Sequence, residues 1–270
     1  MTGIYDCFGY GEGYDVPFPE RCRLIRAAGF DSVMLWWSDR FGRGEGYRQD
    51  ARYAMDAGLA VENLHAPVHQ QHDLSRDTLQ GGEVYARYRQ CVEDCAAHKV
   101  PTVVVHLPAD EHPLQPLGME RLKSLVALAE DRGVQLAFEN LRNLRNLALV
   151  LEAFPSRYVG FCYDSCHHHN YAAGQDLLAQ YGGRLMAVHL HDNGGAHNQH
   201  RLPLDGDIDW AEGMGRLAQT GYQGATSLEP MNWDYRQLTI RQFLSLAQER
   251  AQALDAMRGA AKAQQLRSRA

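Results

Sequence analysis

The sequence predicts an α/β protein whose strands close into a single-domain (β/α)8 TIM barrel with a C-terminal helical extension. Eight short, nearly continuous apolar runs recur along the 270 residues, amphipathic stretches of helical length separate them, and no linker divides the chain. Runs that are apolar throughout are typical of strands buried on both faces of a parallel sheet. A doubly wound open sheet is the alternative, but the even count of eight strands favours closure.

Each apolar run is rich in Val, Leu, Ile or aromatic residues and is too short for a buried helix. In chain order, the eight predicted strands are GIYDCFGY, SVMLWW, AVENLHAP, TVVVHLP, QLAFEN, VGFCYDS, LMAVHLHD and GATSLEP. Seven amphipathic stretches predict the intervening helices: PERCRLIRAAGF, YRQDARYAMDAGL, GGEVYARYRQCVEDCAAHKV, GMERLKSLVALAEDRGV, NLRNLALVLEAF, DLLAQYG and DWAEGMGRLAQTGY.

Glycine residues mark the ends of several predicted helices. Four stretches end in a glycine at or just before the next strand: Gly29, Gly58, Gly133 and Gly221. Glycine adopts the left-handed conformation of a helix C-cap at little cost, so these positions predict helix ends. From about Tyr235 to Ala270 the pattern is one long helix, and we expect a frayed tail from about residue 258. Residues 1–270 are therefore expected to form one domain.

Composition excludes several classes of protein. The formal net charge of −6 disfavours a nucleic-acid partner. The start, MTGIYDCFGYGEG, lacks the basic and apolar segments of a signal peptide, and no run of about 18 apolar residues predicts a membrane span. We therefore expect a cytoplasmic protein. Its six cysteines are expected to be reduced core thiols: Cys7, Cys22, Cys91, Cys95, Cys162 and Cys166.

Six successive predicted strands end in, or are followed by, an acid or a histidine. In chain order these residues are His65, His106, Glu139, Asp164, His189 and Glu229, with His167 three residues after Asp164. In a barrel the carboxyl ends of the strands converge on one mouth. Carboxylates crowded there resist ionisation unless a cation holds them, and imidazole with carboxylate is a ligand set for divalent metals. The sequence therefore predicts a divalent-metal site.

These positions resemble the xylose isomerase-like barrel superfamily, which holds sugar phosphate isomerases and epimerases and the endonuclease IV type of DNA repair enzyme. The resemblance spans nearly the whole chain, in order. The motifs that carry it are LHAP at His65, VVHLP at His106, FEN at Glu139, YDSCHH at Asp164, VHLHDN at His189, NQH ending at His200, and SLEP at Glu229.

The resemblance implies a set of metal ligands. A central ion (Mn, Zn, Co or Mg) would be bound by Glu139, Asp164, His189 and Glu229. A second ion would use His65 and His106 and share Glu139. A third would use His167 and an Asp-x-His pair that here reads Asn198-Gln199-His200. Because an amide is a weaker, uncharged ligand, we expect a weak third site and one to two ions in total. His197 is a candidate substitute ligand.

The resemblance also implies a divalent-metal-dependent isomerase or epimerase of a sugar or sugar phosphate, acting by proton transfer next to a carbonyl. Glu139 and Glu229 would be the catalytic acid–base pair. The expected substrate contacts are His167, Trp36, His191, Arg201 and Trp233. The partner is therefore a small sugar-like molecule, and neither nucleic acid nor membrane is expected. The long C-terminal helix is compatible with a homodimer.

Three alternatives stay open at this point. One is a metal-dependent lyase or dehydratase on the same scaffold. Another is an endonuclease IV-like phosphodiesterase, which would need a basic surface; its best candidate is the patch of Arg40, Arg43 and Arg48. The negative net charge and the altered Asn198 position argue against that alternative. The last is a barrel that binds a ligand without catalysis, since fold alone does not determine function.

Overall fold

The structure is a computed structural model that describes residues 1–39, 45–195 and 198–269. Arg40, Arg43 and His197 lie outside the described residues. Eight parallel strands form a nearly closed barrel, which confirms the predicted fold class. The strands are β1 (Thr2–Tyr5), β2 (Ser32–Trp36), β3 (Ala60–His65), β4 (Thr102–Val105), β5 (Gln135–Glu139), β6 (Val159–Asp164), β7 (Leu185–His189) and β8 (Thr226–Leu228).

Each strand from β1 to β7 pairs in parallel with the next strand along the chain, and β1 also pairs with β8. The ring closes between β7 and β8 through Leu190, which forms a parallel bridge with Leu228. The Leu190 N–H donates to the Ser227 carbonyl at 3.0 Å, and the Glu229 N–H donates to the Leu190 carbonyl at 3.0 Å. This closure brings the segments that follow β7 and β8 side by side.

Helices connect the strands, as the amphipathic stretches predict. They are α1 (Phe18–Ala27), α2 (Asp50–Asp56), α3 (Leu79–His98), α4 (Pro116–Arg132), α5 (Leu144–Ala153), α6 (Ser165–Tyr171), α7 (Leu177–Tyr181), α8 (Trp210–Gln219) and α9 (Ile240–Arg269). Short 3₁₀ turns lie at Glu45–Gln49, Gln71–Ser75, Gly182–Arg184 and Trp233–Tyr235. The C-terminal helix begins at Ile240 and not near Tyr235, because a 3₁₀ turn occupies that segment. No helix in the described ranges has both the length and the apolarity of a membrane span.

Glycine ends four of these helices in the predicted way. Gly29, Gly58, Gly133 and Gly221 follow α1, α2, α4 and α8 with φ values of +102°, +81°, +68° and +78°. These angles lie in the left-handed region, where a side chain is strained and glycine is not. The chain therefore turns sharply from each helix into the following strand.

The core lies between the barrel and the surrounding helices. Aromatic side chains on the strands, such as Phe138 on β5 and Phe161 on β6, are completely buried there. The six cysteines are all buried and none forms a disulfide, as expected for reduced core thiols. The interior of the barrel is filled separately, by small apolar residues and by polar groups.

A carboxyl group fills the interior near the amino ends of the strands. Glu62 on β3 accepts hydrogen bonds from the hydroxyls of Ser32 and Ser227, each at 2.6 Å. Gly3 on β1 lies directly opposite, and a Cβ atom there would overlap Oε1 of Glu62 and both serine hydroxyls. This end of the barrel is therefore packed, so the chemistry-bearing groups gather at the other end.

Candidate active site

The carboxyl ends of the strands place the predicted acids and histidines at one mouth. Glu139, Asp164 and His189 are the last residues of β5, β6 and β7, His65 is the last residue of β3, and Glu229 directly follows β8. All five are buried. They meet because parallel strands of one barrel end on the same rim, as the sequence pattern predicts.

Glu139 lies at the centre of four imidazoles. Its Oε1 is 3.0 Å from Nδ1 of His167 and 3.2 Å from Nε2 of His106. Its Oε2 is 3.0 Å from Nδ1 of His189 and 3.5 Å from Nε2 of His65. Burial raises the pKa of Glu139, but the charges of His106 and His189 outweigh it and hold that pKa well below its usual range. Glu139 is therefore a carboxylate.

Glu229 faces Glu139 across His189. The Nδ1 atom of His189 lies 3.0 Å from Glu139 Oε2 and 3.6 Å from Glu229 Oε2, so both carboxylates approach one nitrogen. His191 Nε2 is 3.5 Å from the same oxygen of Glu229. Burial raises the pKa of Glu229 to about 7, although the charges of His189 and His191 act in the opposite direction. The two glutamates thus differ in their readiness to hold a proton.

Hydrogen bonds to its main chain and to its carboxylate hold Asp164 at the end of β6. Its Oδ1 accepts the N–H of His167 at 2.6 Å, which caps α6. Asn140 bonds its main chain from both sides, accepting the Asp164 N–H at 2.8 Å and donating to its carbonyl at 2.9 Å. The other carboxylate oxygen, Oδ2, is 2.9 Å from Nε2 of His191. The position of this carboxylate is therefore tightly defined.

His191 and His200 form a second pair of rings beside Glu229. Their centroids are 4.1 Å apart with only 5° between the planes. The Nδ1 atom of His200 is 3.0 Å from the Glu229 carbonyl, so that nitrogen donates and Nε2 keeps its lone pair. Burial lowers the pKa of His200 to about 3, which keeps this imidazole neutral. A neutral imidazole with a free lone pair has the form that binds metals.

Several buried atoms at the mouth have no hydrogen bond, although charged groups surround them. They include Nε2 of His106, Oε2 of Glu139, Nδ1 of His167 and both ring nitrogens of His189. Orphaned buried polar atoms are rare and call for an explanation. Imidazole nitrogens and carboxylate oxygens that crowd together without hydrogen-bond geometry have the arrangement of metal ligands. The donor set therefore fits a divalent cation.

Among the described residues, five overlapping groups of three could each hold an ion: His65–His106–Glu139, His65–His189–Glu229, Glu139–Cys162–His189, His191–His200–Glu229 and Glu139–Asp164–His167. The four predicted central ligands do not form one group but are divided among these five. Glu139 belongs to three of the groups and His189 to two, so these two residues link the groups. His200 joins His191 and Glu229, whereas the sequence pairs it with His167. These groups show that buried clusters could bind a metal.

A cavity of about 550 Å³ opens onto these groups. Its lining includes the predicted substrate contacts His167, Trp36 and Trp233, together with Asn198 and His200. Two further predicted contacts lie elsewhere in the described part of the chain. His191 is completely buried behind the cavity, and Arg201 pairs with Asp234 at 2.7 Å.

Sequence reasoning missed the part of this lining that follows β1. Tyr5, Cys7 and the loop containing Tyr10 and Glu12 all face the cavity, as does Met231 after β8. The end of β1 carries no histidine and no motif, so it gave no chemical signal. In a closed barrel β1 lies next to β8, and this was the one indication that the loop after β1 would face the site.

Comparison with known proteins supports this assignment of fold. The model of the xylose isomerase-like TIM barrel family matches residues 22–259. An uncharacterized protein of Sinorhizobium fredii, y4fM, is 29% identical over 262 residues, covering 81% of this chain and 83% of that protein. A 3-dehydroshikimate dehydratase of Pseudomonas putida is 25% identical over 241 residues, covering 83% of this chain but only 38% of that protein.

A solved structure with the same fold is that of an L-ribulose 3-epimerase. It shares 17% sequence identity with a TM-score of 0.76, and the match covers 100% of this chain and 98% of that one. At this identity the likeness shows the fold alone. The family match spans most of the chain and includes every predicted site residue at the mouth. The protein therefore belongs to the xylose isomerase-like TIM barrel family.

Proposed function

We propose that this protein is a divalent-metal-dependent isomerase or epimerase that moves a proton at the carbon next to the carbonyl of a sugar-like substrate. The observation that carries the proposal is the approach of two carboxylates to one nitrogen: Glu139 and Glu229 lie 3.0 Å and 3.6 Å from Nδ1 of His189. Both carboxylates also line the cavity, so both are within reach of a substrate bound there as an acid and base pair. A solved structure of the same fold is an L-ribulose 3-epimerase, so epimerisation is the first reaction to test.

The central ion would be held by Glu139, Asp164, His189 and Glu229, with His65 and His106 available to a second. His167 and His200 are the remaining candidate ligands. A bound divalent cation would stabilise negative charge on a substrate oxygen. The candidates are Mn, Zn, Co and Mg. Mn, Zn and Co accept imidazole and carboxylate together, whereas Mg prefers oxygen ligands, and geometry and supply decide among them.

The two glutamates divide the proton transfer between them. Glu139 is kept ionised by the imidazoles around it, so one of its oxygens can accept a proton from the substrate carbon. In the metal-free site burial raises the pKa of Glu229 to about 7, so this carboxyl group takes up a proton more readily than that of Glu139 and is the candidate to deliver one. Carboxyl groups whose environments push their pKa values apart are typical of an acid and base pair.

His167 and the aromatic side chains would orient the substrate. His167 lines the cavity with its Nδ1 atom 3.0 Å from Glu139 Oε1, so Nε2 is available to contact a substrate hydroxyl. Burial lowers the pKa of His167, but the charges of Asp164 and Glu139 outweigh it and raise that pKa to about 9. Trp36 and Trp233 offer flat apolar surfaces to the substrate skeleton.

The test is solvent hydrogen exchange. The Mn²⁺-loaded protein is incubated in D₂O with a panel of ketoses, and deuterium at the carbon next to the carbonyl is measured by NMR. We expect exchange with at least one ketose and a loss of about a thousandfold or more in Glu139→Gln and in Glu229→Gln. Unchanged exchange in either variant would show that the proton transfer is assigned to the wrong residues.

A dehydratase is the second candidate, because the Pseudomonas putida relative matches 83% of this chain. Elimination of water begins with the same removal of a proton beside a carbonyl, so the same Glu139 carboxylate would serve. The two reactions differ in their products. A dehydratase forms an unsaturated ketone that absorbs ultraviolet light, whereas an epimerase does not change the absorbance.

A further inference from the structure

We propose that the substrate of this site is an uncharged, non-phosphorylated polyhydroxy ketone whose end remote from the reacting carbon is held by apolar contact. The inference rests on the proposed function for the place where the reacting carbon lies. It concerns the opposite end of the cavity, where a sugar and its phosphate ester differ. Four features of the described residues support it, namely an apolar wall, a lining without lysine or arginine, a glycine loop with paired N–H groups and a filled phosphate position.

One wall of the cavity is apolar, and it extends from the rings of Tyr5 and Trp36 beside His65 into the loops that follow the strands. Tyr5, Cys7 and Trp36 pack in one cluster with Val68 and Met231 against it, and all five line the cavity. Trp233 also lines the cavity and is 40% exposed. The polar groups, by contrast, are the buried acids and histidines at the bottom. A ligand that fits has a polar reacting end and a remote part that gains from dispersion and apolar burial.

The described lining contains no lysine and no arginine. Its charged carboxyl groups are Glu12, Glu139 and Glu229. Glu12 lies at the rim, where its carboxylate pairs with Arg236 at 2.5 Å, and Arg236 itself does not reach the cavity. A phosphate group on the remote end of a substrate would thus meet an apolar wall and a carboxylate. Bringing a charge to such a place without a partner is unfavourable.

The glycine-rich loop after β1 is not a phosphate cradle, although the sequence Gly9-Tyr10-Gly11-Glu12-Gly13 suggests one. A cradle needs free backbone N–H groups that point at the anion. Here the N–H groups of Tyr10 and Glu12 donate to carbonyls of the same segment, at 3.3 Å and 3.1 Å. The Gly11 N–H donates to Asp15 Oδ1 at 2.8 Å. The three central N–H groups of the loop are therefore already paired within it.

The usual phosphate position of this fold is also filled. In (β/α)8 barrels, phosphate often binds at the loops after the seventh and eighth strands. In this chain the carboxylate of Asp192, two residues beyond Leu190, accepts the N–H groups of Asn193, Leu204 and Ile208 and the indole N–H of Trp210, at 2.6–3.2 Å. The Asp192 carboxylate thus occupies these four donors, so they are not available to a substrate phosphate.

The experiment compares ketones with their phosphate esters. Isothermal titration calorimetry on the Mn²⁺-loaded protein is run with D-fructose, D-tagatose and D-ribulose, each paired with its terminal phosphate ester, with a 6-deoxy ketohexose, and with inorganic phosphate alone. We expect at least one uncharged ketone to bind, its deoxy analogue to bind within about threefold, and its ester to bind at least tenfold more weakly. Inorganic phosphate should not compete with the ketone.

A gain of charge in the wall sharpens the test. Val68 is partly exposed in the lining, so Val68→Lys can place an ammonium group at the remote end, with Val68→Gln as the uncharged control. We expect the lysine variant to bind the ester at least fivefold more tightly than the glutamine variant does. Arg40 and Arg43 lie outside the described residues, so Arg40→Ala/Arg43→Ala is included and should leave both affinities unchanged.

The outcomes separate this inference from the proposed function. An ester that binds as tightly as its ketone, or the absence of binding by every uncharged ketone in the panel, overturns the inference. Ester binding that disappears in the Arg40→Ala/Arg43→Ala variant overturns it as well and identifies the phosphate site. Uncharged ketones that bind but exchange no deuterium leave this inference standing and contradict the proposed proton transfer.

Discussion

The Nε2 atom of His191 lies 2.9 Å from Oδ2 of Asp164, and both side chains are completely buried. Burial lowers the pKa of His191, but the charge of Asp164 outweighs it and raises that pKa well above its usual value. The pair is anchored further by Ser165, whose hydroxyl donates to the His191 carbonyl at 2.7 Å. His191 therefore acts on the site by positioning Asp164, since it does not line the cavity.

The first prediction concerns His191→Phe. The phenyl ring keeps much of the volume but leaves Asp164 Oδ2 without its partner. We expect a loss of about 3 kcal/mol in the free energy of unfolding, the scale of breaking a buried charged pair. Divalent-cation affinity should fall about 10- to 100-fold, as for groups that orient metal ligands. Urea unfolding and Mn²⁺ titration by calorimetry measure the two effects.

The matched control is His168→Phe. His168 bonds the Tyr163 hydroxyl at 2.8 Å and the Gln175 carbonyl at 2.8 Å, and it touches none of the buried carboxylates at the mouth. Its substitution should leave the Mn²⁺ affinity unchanged. If both variants keep the wild-type affinity, His191 has only a structural role.

The second prediction concerns removal of the metal. A cation that binds the folded chain alone stabilises it by about 2.7 kcal/mol at a hundredfold excess over Kd. We therefore expect chelation to lower the melting temperature and Mn²⁺ or Zn²⁺ to restore it, whereas the Glu139→Gln variant should respond weakly. Differential scanning calorimetry with and without chelator measures the shift. A melting temperature that no divalent cation changes would contradict the metal site.

Much of the fold and of the site was accessible from sequence because both depend on local patterns. Seven of the eight apolar runs contain the whole observed strand, and β1 begins one residue before its run, at Thr2. The glycines that end α1, α2, α4 and α8 have the expected positive φ. The convergence of Glu139, Asp164, His189 and Glu229 on one mouth followed from strand ends alone. In a closed barrel, residues at the ends of different strands lie close together even when they are far apart in sequence. This follows from the order of the strands and does not depend on the positions of side chains.

What sequence reasoning missed depends on packing between segments. Arg21 on α1 is completely buried and donates to the carbonyls of Asp6, Phe8 and Tyr14. The three other arginine or glutamate residues of its helix are exposed, and the sequence does not distinguish Arg21 from them. The pairing of His200 with His191 likewise depends on the conformation of the loop between them. Periodicity identifies a buried face, but it does not identify the partner that a polar group finds there.

The third prediction concerns the pH dependence of stability in the metal-free protein. The pKa of Glu229 is raised by burial from 4.5 to about 7, so the folded chain holds a proton that the unfolded chain releases. This contribution to stability is complete below pH 4.5 and is lost as the pH rises through 7. Across that window it amounts to at most about 3 kcal/mol.

Glu229→Gln removes this titration. The difference in free energy of unfolding between the variant and the wild type, measured by urea titration in chelator at pH 4.5, 6 and 7.5, should therefore increasingly favour the variant as the pH rises. A difference that is constant with pH, or that changes in the opposite direction, would show that Glu229 is already ionised in the metal-free fold.

The fourth prediction pairs two glycine substitutions with opposite signs. Gly3→Ala places a methyl group against the Glu62 carboxyl and the Ser32 and Ser227 hydroxyls inside the barrel, so we expect a loss of about 2–3 kcal/mol through overpacking. Gly213→Ala lies within α8 with open space around its Cβ position, so we expect a gain of about 0.5–1 kcal/mol from helix propensity. Thermal and urea unfolding of both variants at pH 7 provide the measurement.

Because neither residue approaches the cavity, the ketone affinity of Gly213→Ala should equal that of the wild type. Equal stability of the two variants would mean that the amino end of the barrel is less tightly packed around Glu62 than the structure has it.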